Sequence, residues 1–553
     1  MNFMKVGEMH IRASAFLVQA PLYSTRSARA HRNARLSLLE GLSRRSVCLS
    51  TKSFLGSTRL RPSRIFETSP SRRWCSTGVE ASFSIDKLKF PPLPEVKFPP
   101  YVKETLSNGM TVFVIEDPEL PLVNGVCYVR SGGRWDPEEK LGLSELAGIV
   151  LRSGGSRKVP AEKLDRILEQ RAASIESGSD RSVFSIGFAA LSDDFEKVLG
   201  LWADLIRHPA FPEEKLTLAQ LQFEASIARR NDDPGGIVSR EFGRLLYGED
   251  SPYARVAQYD TIRRVTTRDL HELHDRYFHP NNCVVGIHGD VKADEVIKQL
   301  EKSFGNWKNN PLMMLPKVPQ TEQANKGKIF LIDKPELTQS YVEFGQIGGE
   351  VLDPDYAALT MMNGVLNGFG GRLFNNVRSR QGLAYSVYGQ WNPGFDHAGA
   401  FQAGGETGGD VAAFITGINN VINELREEPP TSTEVEYARE SVLNGFIFNF
   451  ASIDTVMSRL IRYQYYGYPF DNIFLYRRKV EDCTAEEILR VTNQNLRPED
   501  FVYVVAGPAE QIRPSLEKLG LPIELHDITI QSATVPRREV VLDPLVGDPL
   551  VGP

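Results

Sequence analysis

The chain has 553 residues and a formal net charge of −6, with apolar, aromatic and charged fractions ordinary for a globular protein. Single hydrophobic cores rarely grow past about 250 to 300 residues, so two or more domains are expected. No stretch of about 18 apolar residues occurs, which excludes a membrane-spanning helix, and five cysteines without paired spacing exclude a disulfide framework or a zinc knuckle.

Charge divides the chain unevenly. Residues 1–79 hold 12 Arg and 2 Lys against Glu8, Glu40 and Glu67, so this segment carries +11 and the remainder −17. Rich in Arg, Ser and Ala and poor in acids, it reads as an organelle transit peptide, with Arg72-Arg73-Trp74-Cys75-Ser76 suited to cleavage. The mitochondrial matrix is the first expectation and the plastid the second. The alternative is a basic arm for nucleic acid or anionic lipid. No nucleic-acid partner is expected for the body.

Residues 80–100 form a linker stiffened by Phe90-Pro91-Pro92-Leu93-Pro94 and Phe98-Pro99-Pro100. The body that follows repeats itself. Pro118-Glu119-Leu120, an apolar strand, Gly132-Gly133, Asp136-Pro137 and a helix recur as Pro335-Glu336-Leu337, a strand, Gly348-Gly349, Asp353-Pro354 and a helix. Near the end of each half an apolar strand runs into a glycine turn and a helix, at Cys283 to Ile287 with Gly289 and at Phe501 to Val505 with Gly507.

Strands are predicted at 110–115, 123–129 and 183–188, and helices at 162–170 and 211–230. Short strand connections with helices on one side point to an α+β fold of two duplicated sandwich domains, each an antiparallel-rich sheet with helices packed on one face. The domains are expected at 101–308 and 327–535, joined by a linker at 309–326. Residues 536–553, with Asp543-Pro-Leu-Val-Gly repeated at Asp548, read as a loose tail.

From Gly142 to Arg152 the chain reads Gly-Leu-Ser-Glu-Leu-Ala-Gly-Ile-Val-Leu-Arg. Leu143, Leu146, Ala147, Val150 and Leu151 fall at the spacing of a core-facing helical stripe, leaving Glu145, Gly148, Ile149 and Arg152 off it. Farther on, His271-Glu272-Leu273-His274 has metal-ligand residue types, but its H-E-x-H spacing favours a packing or solvent-facing role. In the second half stand Gly368-Phe369-Gly370-Gly371-Arg372, then Arg378, then Gly382-Leu383-Ala384-Tyr385-Ser386. The glycines lack the Gly-Lys-Ser/Thr of a P-loop, so Gly368, Gly370 and Gly371 are not expected to hold phosphate.

Together these segments, over about 430 residues from Tyr101 to near Val535, resemble the pitrilysin and insulinase peptidases. Their inverted motif H-x-x-E-H binds zinc through two histidines one turn apart and uses the glutamate as general base. Laid on that motif, the ligands become Glu145 and Ile149, the base becomes Gly148, and the third ligand falls at about Ser226. The resemblance implies that this chain binds no metal or other cofactor, and that zinc belongs to a homologous partner subunit. It also implies that Arg378 and Tyr385 are the Arg and Tyr reaching substrate from the C-terminal domain, with Gly368, Gly370 and Gly371 lining the peptide channel. The expected assembly is a heterodimer in which this chain forms half of a clamshell for unfolded peptides or presequences, whose basic character suits the −17 of the body. The alternative is a catalytically inactive core subunit of a respiratory cytochrome bc1-type complex.

Overall fold

A computed structural model describes residues 96–313 and 317–537. The transit segment, residues 80–95 of the linker and residues 538–553 of the tail lie outside the described residues. Among the described residues, twelve strands build two six-stranded sheets. The first holds β1 (Val102–Thr105), β2 (Thr111–Glu116), β3 (Leu122–Val129), β4 (Ser174–Ser179), β5 (Phe184–Leu191) and β6 (Cys283–Gly289). The second holds β7 (Lys328–Asp333), β8 (Ser340–Ile347), β9 (Ser386–Asn392), β10 (Ala400–Thr407), β11 (Val502–Gly507) and β12 (Ile523–Leu525).

Strand order is β1-β2-β6-β3-β5-β4 in one sheet and β12-β7-β11-β8-β10-β9 in the other. Five strands match in order, so the repeat read from the sequence is a structural duplication. Only the outer strand differs: β1 runs antiparallel to β2, whereas β12 runs parallel to β7.

Side chains alternate across each pleat, and both faces are apolar. In β2, Val112 and Val114 join the core under that half's own helices, while Phe113 and Ile115 face the other way. That second face is covered by Val456, Met457, Leu460 and Ile461 of helix Ile453–Tyr466, which belongs to the second half. Reciprocally, Ile237, Phe242 and Leu246 of helix Pro234–Tyr247 in the first half cover Phe330, Ile332, Val502 and Val504 of the second sheet. The expectation of helices on one face is therefore corrected in one respect: each half lends a helix to the back of the other's sheet. The alternation of large apolar residues on both faces of β2 carries the reason. No helix among the described residues is long and apolar enough to cross a membrane.

Candidate functional site

The degenerate zinc helix spans Leu143–Ser153 and buries its predicted stripe, Leu143, Leu146, Ala147, Val150 and Leu151. Its start is held by Asp136, whose carboxylate accepts from the Gly142 and Ser144 backbone amides and, at 2.5 Å, from the Ser144 hydroxyl. Burial pushes the Asp136 carboxyl up to about 6 despite these donors. Glu145, one turn into the helix, is pushed up to about 7 by burial and by the nearby Asp136 charge, with Arg181 opposing the shift.

Gly148 is closed in by backbone. A Cβ there would stand 2.8 Å from the Ser179 amide nitrogen and 2.9 Å from Gly178, and Ser177 donates its hydroxyl to the Gly148 carbonyl at 2.6 Å. Arg152 adds a second clasp by donating to the Ile175 carbonyl at 2.7 Å. The helix thus lies directly on the edge strand β4, and no side chain fits where a general base would stand. Ile149 is 38% exposed.

The remaining family position is also engaged elsewhere. On helix Glu213–Ala228, Ser226 donates to the Phe223 carbonyl. Glu224 is buried between Arg263, at 2.8 and 2.9 Å, and Arg537, and these donors hold its carboxyl below the usual range, the Arg263 hydrogen bond foremost. These residues do not fit a zinc ion, and no group of three or more His, Cys, Asp or Glu suited to a metal occurs among the described residues. The His271 to His274 segment packs as expected. His274 is buried, bonds the Ile206 carbonyl at 2.8 Å and stacks on Phe278, and His271 meets Phe211 edge-on.

The second region starts at the C-terminus of helix Tyr356–Leu366. Gly368 adopts φ +81°, and Gly370 lies under the Tyr437 ring, where a Cβ would approach to 2.9 Å. Gly371 leaves room for the Asn367 carbonyl. Packing therefore gives these glycines a reason of their own. Phe369, between them, is 82% exposed and meets Phe374 edge-on at 5.1 Å.

Residues Phe374–Arg380 form a π-helix, a geometry that widens the turn and recurs at functional sites. The chain then folds back through Leu383 N–H to the Val377 carbonyl and Tyr385 N–H to the Glu406 carbonyl. This return sets Arg378 over two rings, 4.9 Å from the centre of Phe374 and 5.5 Å from that of Tyr385. Tyr385 is 72% exposed, not half-buried in a strand, and no carboxylate among the described residues pairs with Arg378. Exposed Phe369, Arg378 and Tyr385 and half-buried Phe374 form a shelf of rings around one cation.

Two residues not picked out in the sequence hold this shelf. Asn367 donates to the Gly389 carbonyl at 2.7 Å and accepts from its amide at 3.1 Å, while Asn363 does the same for Trp391 at 3.0 and 2.7 Å. Two carboxamides one helical turn apart thus replace a neighbouring strand along β9, which begins right after Tyr385. Arg372 forks onto Glu434 at 2.7 and 3.0 Å and fixes the glycine loop to helix Ser432–Phe446.

Two family profiles match the chain and together span more than half of it: Insulinase (Peptidase family M16) over residues 111–243 and Peptidase M16 inactive domain over residues 264–442. Among curated relatives, an uncharacterized zinc protease, YmxG, of Bacillus subtilis is 25% identical over 64% of this chain and 86% of its own length. A non-peptidase homolog, YmxG, of Helicobacter pylori is 24% identical over 68% and 87%. Among solved structures, a peptidase M16 inactive domain from Pseudomonas fluorescens superposes with a TM-score of 0.67 at 24% identity, covering 74% of this chain and 98% of that one. A protease from Helicobacter pylori gives 0.66 at 19% identity, covering 74% and 100%. With a duplicated two-sheet fold, matching profiles in both halves and a zinc helix stripped of its ligands, the chain belongs to the M16 insulinase family as an inactive, peptidase-like member.

Proposed function

We propose that this chain is the substrate-handling subunit of a heterodimeric processing-type metallopeptidase, paired with a homologous subunit that brings zinc, general base and water. The observation that carries the reading is the pairing of an exposed, acid-free Arg378 with Tyr385 on one shelf, in a chain whose own metal helix has lost its ligands. A scaffold has no use for a guanidinium and a phenol presented together to solvent.

In this reading, Arg378 and Tyr385 donate hydrogen bonds to the carbonyl oxygen of the scissile peptide as negative charge builds there. Such donors matter most in the transition state and least in the ground state. Gly368, Gly370 and Gly371 bring backbone close to the extended substrate, with Phe369 beside it. The substrate class is an unfolded peptide, and the acidic body favours basic presequences. The basic, acid-poor residues 1–79 support a mitochondrial-matrix location in this reading, with the plastid as the alternative.

Reconstitution tests this reading. Zinc content and peptide cleavage are measured for this chain, for a homologous zinc-bearing subunit and for the mixture. Cleavage by the mixture alone, with zinc in the partner, supports it. Stoichiometric zinc or full cleavage in the isolated chain contradicts it, and stable assembly only into a membrane-bound respiratory complex replaces it with a structural role.

A further inference from the structure

Arg372, Arg378 and Arg380 stand within one short segment and are held in different ways. Arg372 forks onto Glu434, and Arg380 donates to the Asn376 carboxamide at 2.9 Å. The Arg378 guanidinium has neither kind of partner. Among the described residues it makes no hydrogen bond or ion pair and rests on the Phe374 and Tyr385 rings.

The difference bears on chemistry. A guanidinium carries its N–H donors in its own plane, and a forked carboxylate partner takes up a pair of them. An aromatic ring attracts the same cation through its face and takes up none. An arginine that gives hydrogen bonds to a ligand is therefore better held by rings than by an acid. Without any anchor an exposed arginine turns through many rotamers, and whatever fixes it beforehand spares that ordering at the moment of reaction.

Of the two rings, Phe374 is the better anchor. It lies on the same π-helical segment as Arg378, with the guanidinium 4.9 Å from its centre against 5.5 Å at Tyr385. Tyr385 is exposed, whereas Phe374 is half-buried and braced edge-on by Phe369 at 5.1 Å. Its chain neighbours are fixed as well: Leu373 and Val377 are buried, and the Asn375 carboxamide donates to the Gly370 carbonyl at 3.1 Å. We propose that Phe374 is the positioning residue for Arg378, acting on the reaction only through the guanidinium that it holds. This rests on the reading of Arg378 as a donor to substrate. Phe374 sets where the guanidinium donors point, and the Tyr385 hydroxyl stays free to donate as well.

The test uses the reconstituted heterodimer carrying Phe374→Leu, Phe374→Tyr, Arg378→Ala, or Phe374→Leu together with Arg378→Ala. Phe374→Leu is expected to lower kcat about threefold to thirtyfold, the range of cation–π contacts, with KM little changed. Phe374→Tyr keeps the ring and is expected to retain turnover. With Arg378→Ala already present, Phe374→Leu should cost nothing more, because the group it positions is gone. An equal loss from Phe374→Leu in both backgrounds assigns Phe374 a structural role and overturns the proposal, as does undiminished turnover in Phe374→Leu. Undiminished turnover in Arg378→Ala is a separate failure, which removes the donor role itself and the proposal with it. A second measurement needs neither partner nor substrate. In the isolated chain with isotope-labelled arginine, the Nε–H resonance lost in Arg378→Ala identifies Arg378, and the ring current of Phe374 shifts it. It is expected to move toward the position of a free arginine in Phe374→Leu and to stay in Phe374→Tyr. A resonance unmoved by Phe374→Leu overturns the proposal even where turnover falls.

Discussion

Arg134 and Asp396, 262 residues apart in sequence, form a forked ion pair at 2.9 and 2.7 Å that is buried between the two halves. Arg134 stands two residues before Asp136, the cap of the degenerate zinc helix, so one short loop ties that helix to the second half. Asp396→Ala leaves the Arg134 charge buried and alone. A loss of about 3–5 kcal/mol in urea unfolding is expected, whereas Arg134→Met combined with Asp396→Leu recovers most of it.

Acid and base limits of stability follow from opposed groups. Burial raises the Asp396 carboxyl, but bonds from His397 and Arg134 outweigh it and bring it down to about 2. Glu241, buried among His526, Arg244 and Arg240, is likewise brought to about 2 against its burial. These depressed acids stabilise the fold above their unfolded values near 4, and the contribution is lost as pH falls toward 2. Glu145 and Glu343, both raised to about 7 by burial, act with the opposite sign. They hold extra protons in the fold, so stability declines as pH rises from about 4.5 to 7. Thermal melting across pH is expected to peak at about pH 5. Glu145→Gln should flatten the alkaline limb, and an unchanged limb contradicts the assignment to Glu145.

The metal site resists repair. Replacing Glu145→His, Gly148→Glu, Ile149→His and Ser226→Glu restores the family's residue types but forces a Cβ into the β4 backbone at Gly148. Overpacking of this kind costs about 1–3 kcal/mol, and Gly148→Ala alone is expected to show it by denaturant titration. Calorimetry should find no stoichiometric zinc in the fourfold variant. Tight binding of one zinc per chain contradicts the steric closure.

Asn363 and Asn367 protect the edge of β9. Removing either carboxamide strands a backbone amide and carbonyl, at a cost of about 1–3 kcal/mol. An opened strand edge also pairs with other chains. Asn363→Ala with Asn367→Ala should therefore lower the melting temperature and raise light scattering, while Asn363→Gln alone tests whether the reach of the amide matters.

Much of this architecture was legible in the sequence because its signals are local. The stripe of the Leu143–Ser153 helix, the repeated Gly-Gly and Asp-Pro marks and the Arg378 to Tyr385 spacing each need only neighbouring residues. What escaped depends on contacts across long separations. Helix Ile453–Tyr466 shows an ordinary amphipathic pattern, and nothing in it says that its apolar face covers the opposite half. Gly148 read as a lost base, whereas its contact with β4 shows a position closed by backbone. The asparagine pair was visible as two amides one turn apart, but only the strand beside them gives that spacing a meaning.

The most direct measurement is turnover of the reconstituted heterodimer carrying Arg378→Ala, with zinc content and subunit assembly measured in parallel. Loss of one transition-state donor is expected to lower kcat by about 10²–10³, with KM, partner zinc and assembly little changed. Turnover equal to that of the unaltered heterodimer contradicts the role of Arg378 and, with it, the reading of this chain as half of a divided active site.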